Sequence, residues 1–86
     1  MHSVLSVKYL SDYRLLLGFE DGTRRCVDLW PHLEGEVFEP LKDLDYFRQV
    51  RLNTEIDTIT WPNDADFSPD FLYEIGQETS QQAEAI

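Results

Sequence analysis

Apolar side chains recur at every second position through the first third of the chain. They are Leu5, Val7 and Tyr9, then Tyr13, Leu15, Leu17 and Phe19, then Val27 and Leu29. Between them stand Ser6, Lys8, Arg14, Gly18, Glu20, Arg24 and Asp28. A period of two is the side-chain repeat of an extended strand with one face buried. Three strands are therefore predicted, folded as an antiparallel meander. Val4, Leu10, Leu16 and Cys26 break the alternation, which implies partial cover on the second face.

Turn chemistry sets the register. A two-residue turn at Asp21-Gly22 would place Leu15 opposite Asp28 and mix the faces. A three-residue loop with Gly22 left-handed pairs Phe19 with Thr23, Leu17 with Arg25, Leu15 with Val27 and Tyr13 with Leu29. It keeps the apolar residues together and turns Arg25 inward. The same count at Leu10-Ser11-Asp12 predicts Tyr9 opposite Tyr13, Val7 opposite Leu15 and Leu5 opposite Leu17.

Pro31 lacks a backbone donor, and Gly35 punctuates the next stretch, so the sheet stops near Trp30. Leu41, Leu44 and Phe47 at three-residue steps predict a helix over 43–49, with Asp43 and Asp45 in its first turn and Arg48 in its last. A short second pair of strands is expected at 50–52 and 57–61. Ser68-Pro69-Asp70 reads as an N-cap, a first helical residue and an early acid, opening a short helix through Tyr73. The fold class is α+β: a three-stranded meander plus a short β-pair, packed against one short helix. Residues 1–76 form a single domain, and 77–86 are expected to be a disordered polar tail, having no aromatic and little apolar bulk.

Composition agrees with one small domain. The chain has 86 residues, 42% of them hydrophobic and 13% aromatic. Its net charge is −10. Nucleic acids and anionic membranes repel such a chain, so neither is an expected partner. The charge is uneven, −2 up to residue 51 and −8 over 52–86, where eight acids meet no base. A one-sign segment favours a cationic partner surface. With the single cysteine Cys26 no internal disulfide can form, and neither a signal peptide nor a membrane-length apolar run is legible. A cytoplasmic location is expected.

The run from Trp61-Pro62-Asn63-Asp64-Ala65-Asp66-Phe67-Ser68-Pro69-Asp70 to Phe71-Leu72-Tyr73 resembles the C-terminal signature of a small bacterial family, domain-of-unknown-function family 2442. Phe19-Glu20-Asp21-Gly22, Val27-Asp28-Leu29 and Phe38-Glu39-Pro40-Leu41 are similar to its earlier spacing. The resemblance covers about residues 4–73. It implies a β-meander packed on one helix. Some relatives carry a helix-turn-helix domain after this unit; this chain shows no such segment, so DNA binding does not transfer. Others are encoded beside a second small domain in an arrangement that resembles a toxin–antitoxin pair. The resemblance brings no catalytic residues. Relatives often have Gly where this chain has Asp64, which implies a positive-φ turn there.

Candidate chemistry is sparse. Asp64, Asp66, Asp70 and Glu74 could offer oxygens to a hard cation, yet their spacing matches no Ca²⁺ loop. Capping and loop roles explain these acids more simply. His2 and His32 lack neighbouring ligands for zinc, Cys26 sits mid-strand, and no nucleophile elbow or phosphate loop occurs. No cofactor, metal or catalytic activity is expected. The aromatics Trp30, Trp61, Phe67, Phe71 and Tyr73 read first as core, with an exposed patch as the alternative. The expectation is a non-catalytic interaction module, antitoxin-like, with a basic protein partner and a candidate surface of Trp61, Pro62, Asn63, Asp64, Asp66, Asp70 and Glu74. The alternatives are a small-ligand or metal-binding sensor and a homodimer formed through an edge strand.

Overall fold

A computed structural model describes residues 2–79. The chain runs through β1 (Val4–Ser11), β2 (Arg14–Phe19), β3 (Arg24–Asp28), α1 (Leu44–Phe47), β4 (Arg51–Asn53), β5 (Thr58–Thr60), α2 (Pro69–Ile75) and β6 (Gln77–Glu78). Two 3-10 segments, Trp30–His32 and Glu36–Lys42, bridge β3 and α1. One antiparallel sheet has the order β1-β2-β3-β6, and a second pairs β4 with β5. The class is α+β, as the alternation implies.

The β2–β3 hairpin has the expected register, Leu17 opposite Arg25 and Leu15 opposite Val27. Gly22 takes φ +89° in the loop, which L side chains rarely adopt. The Asp21 carboxylate closes the same loop by accepting from the Thr23 amide and hydroxyl, at 3.0 and 2.7 Å.

The β1–β2 register differs from expectation by two residues. Tyr9 faces Leu15, Val7 faces Leu17, and Ser11 faces Arg14 across a tight turn at Asp12, whose φ is +48°. The cause is the turn, a two-residue connection at Asp12-Tyr13 in place of the expected three-residue loop. Two irregularities that fall on β1 alone, between Tyr9 and Ser11 and between Val4 and Ser6, then take back part of the offset. Each squeezes one extra residue from the ladder. Those residues are Leu5 and Leu10, which stand 59% and 41% exposed. Val4, not Leu5, joins the core at this end.

The expected tail boundary is also corrected. Gln77 and Glu78 pair with Cys26 and Arg25, and the Thr79 amide donates to the Arg24 carbonyl at 2.9 Å. The free edge of β3 supplies this ladder, so no apolar side chain is needed. The rest of the expected tail lies outside the described residues.

Around the buried sheet face gather Leu15, Leu17, Phe19, Val27 and Leu29, joined by Leu33, Leu41, Phe47, Ile59, Trp61, Phe67 and Leu72. α1 is shorter than the apolar stripe suggests. Asp43 caps it, its side chain accepting from the Asp45 amide at 3.0 Å. α2 starts at Pro69 as expected, although the Ser68 side chain makes no cap bond. Gly76 ends α2 against β3. A Cβ there would lie 2.8 Å from Arg25 Cβ and 3.0 Å from the Leu72 carbonyl oxygen.

Candidate interaction face

The loop from Trp61 to Phe67 is held by specific bonds to main-chain carbonyls. The Trp61 indole N–H donates to the Phe47 carbonyl at 2.8 Å, and the ring is 1% exposed. Trp61 is therefore a core residue, as the first reading of the aromatics has it, and its place in the candidate surface is corrected. Thr58 and Thr60 are buried as well, because residues 65–67 cover their side of β5. Their hydroxyls donate to the carbonyls of Phe67 at 2.6 Å and Ala65 at 2.8 Å. Both faces of β5 are therefore buried. Asn63 braces the loop by donating to the Val37 carbonyl at 2.9 Å and accepting from the Ala65 amide at 3.1 Å. Asp64 stands at φ +68°, the left-handed turn that the family resemblance implies.

The remaining candidates do not share one surface. Asp64 borders a groove with Arg51 and Glu55, and Pro62 stands exposed beside it in the loop. Asp66 borders a second groove, and Asp70 and Glu74 a third. Among the described residues, no group of three or more His, Cys, Asp or Glu side chains could hold a metal ion.

The second and third grooves meet at Phe71, which lines both. α2 delivers this half-buried ring, together with Asp70 and Glu74, by ordinary helical spacing. In the second groove, of about 410 Å³, Phe71 lies beside Phe67 and Phe38. Their rings are near-parallel, with centroids 4.8 Å apart for Phe38 and Phe67 and 5.9 Å for Phe67 and Phe71. Glu34 and Asp66 are its acids. Phe38 and Glu34 escaped the sequence reading as site residues. They come from the irregular segment after β3, and no local pattern links them to α2.

The third groove is floored by a stack around Tyr73. The His2 imidazole lies 3.6 Å from the Tyr73 ring at an interplanar angle of 6°. The Arg25 guanidinium carbon sits 3.7 Å from the same centroid. Two groups this close must occupy opposite faces of the ring. The inward Arg25 of the sheet register is thus met by an aromatic face and by the carbonyls of Tyr73 and Gly76. The Tyr73 hydroxyl donates to Asp21 at 2.6 Å. This bond, with those from Thr23, pushes the Asp21 carboxyl down from 3.8 to about 2. The Ser3 amide, the largest cause, holds Glu20 below its ordinary value, and the His2 amide donates to Asp70 at 2.8 Å.

A family model described as a protein of unknown function (DUF2442) matches residues 4–78. The chain belongs to the DUF2442 family. The match opens on the first residue of β1 and closes on the last of β6, so every strand described above falls within the DUF2442 domain. Searches among curated proteins and among solved structures gave no match. Among the described residues of this DUF2442 chain, no helix is long and apolar enough to cross a membrane. The face around Phe71 presents carboxylates and rings, groups that accept hydrogen bonds and attract cations.

Proposed function

We propose that this DUF2442 protein is a non-catalytic interaction module that docks a basic protein partner, in the manner of an antitoxin, on the face centred on Phe71. One observation carries the reading. The two grooves sharing Phe71 are rimmed by Glu34, Asp66, Asp70 and Glu74, and neither is lined by a Lys or Arg. The Lys and Arg side chains stand elsewhere, on the meander, around α1 and on β4, and of these Lys42 and Arg48 already pair with Glu39 and Asp45 at 3.0 and 2.6 Å. An acidic rim steers a cationic surface from a distance, and the aromatic floor supplies the short-range contact that holds it.

The test has two stages. A basic protein captured from the native host at low salt is purified, and its binding is titrated at rising ionic strength with wild type, Asp70→Lys and Lys8→Glu. Affinity should fall steeply with salt. Asp70→Lys should weaken binding at least tenfold, while Lys8→Glu should leave it within about twofold. Salt-independent binding, equal loss in both variants, or the absence of any basic partner overturns the proposal.

A further inference from the structure

We propose that the groove lined by Phe38, Phe67, Phe71, Glu34 and Asp66 is a binding site for an arginine side chain. This deepens the docking reading and rests on it for the source of the arginine, a basic protein partner.

The chemistry of the lining selects the ligand. Phe38 and Phe71 are half-buried and give the groove an aromatic wall, with Phe67 filling in behind at 7% exposure. Three adjacent rings would suit many apolar ligands. The two carboxylates, with no Lys or Arg in the lining, bias the site toward a cation. A volume near 410 Å³ takes one long side chain with room for water. Arginine fits better than lysine. Its guanidinium is planar, weakly hydrated and able to lie flat on a ring while its N–H groups reach carboxylates on either side. An ammonium is a compact, strongly hydrated charge that leaves an aromatic wall less well covered.

The molecule supplies its own precedent. Arg25 stacks 3.7 Å over Tyr73, and the hydroxyl of that ring is held by Asp21. The fold thus already sets a guanidinium on an aromatic face whose rim carries an acid. The Phe71 groove repeats those parts without an arginine of its own among its lining residues.

The probe is acetyl-Gly-Arg-Gly-amide, titrated into the full chain at pH 8 and low salt. It is compared with the isosteric citrulline peptide, which is neutral, and with the lysine peptide. Ring ¹³C and backbone amide shifts locate the site. The arginine peptide should give saturable millimolar shifts at Phe38, Phe71, Glu34 and Asp66. Citrulline should give none at equal concentration, and lysine should bind more weakly. Phe71→Leu keeps the apolar volume but removes the ring face, and should weaken arginine binding about two- to fivefold. Asp66→Asn should weaken it comparably. Equal shifts from citrulline, equal binding of lysine, indifference to Phe71→Leu, or shifts elsewhere would each overturn the assignment. If the arginine peptide fails while a basic partner still binds and still responds to Asp70→Lys, the arginine site is wrong and the docking reading stands. Saturable peptide binding with no basic partner leaves the site and removes the reading.

Discussion

The meander of β1 to β3 and the segment from Trp61 to Phe67 specify their shapes in opposite ways. The meander is set by alternation and backbone ladder, and its buried residues are interchangeable in kind: Leu15, Leu17, Val27 and Leu29 all serve by filling space. The later segment has little ladder. Its path is dictated by single hydroxyl, indole and amide donors aimed at particular carbonyls, by Asn63, Thr58, Thr60 and Trp61. Failure should therefore be graded by volume in the first region and by hydrogen-bonding ability in the second.

Leu17→Ala should produce the largest effect. Leu17 is fully buried, and its truncation should cost about 2–5 kcal/mol by denaturant unfolding. Leu17→Met should restore most of that stability, since volume is what counts there. In the second region Thr58→Val keeps shape and loses the donor. It should still cost about 1–3 kcal/mol, because the Phe67 carbonyl loses its partner in a buried place. If Thr58→Val proves neutral, the contrast between the regions fails.

The smallest effect concerns the stitch between the regions, where Tyr73 of α2 donates to Asp21 in the β2–β3 loop. The folded-state pKa of Asp21 lies below its ordinary value, at about 2 against 3.8. Its contribution to stability is therefore complete above 3.8 and is lost as pH falls toward 2. Asp21→Asn should shallow the acid limb of the stability–pH curve in that window. Glu20, held low mainly by the Ser3 amide, should keep its own share of the limb.

How much was legible in the chain follows the same division. Alternation and Gly22 gave the β2–β3 register because a one-residue slip would have turned Leu15 and Leu17 to solvent. The β1 register departs from expectation because the tight turn at Asp12-Tyr13 shifts the central pairing by two residues. That shift keeps Val7, Tyr9, Leu15 and Leu17 on one face, so alternation alone does not choose between the two turns. β6 was invisible, since Gln77 and Glu78 join by backbone alone. At the candidate site, Asp66, Asp70 and Glu74 are exposed, while Trp61 obeys the core reading of the aromatics and lies beneath the surface on which the run 61–74 also places it. Phe38 and Glu34 reach the groove through tertiary folding of a segment with no periodicity, which a local pattern does not encode.

The two tryptophans fall on opposite sides of the boundary between solvent and interior. Trp30 is 53% exposed beside Tyr13, with ring centroids 4.9 Å apart, while Trp61 is sealed against Phe47 and Phe67. The chain thereby carries two optical reporters with separate duties. Emission that a dissolved quencher can reach belongs to Trp30, and emission that it cannot reach tracks the packing beneath the loop, so loosening of the interior and events at the surface can be followed in one unlabelled sample.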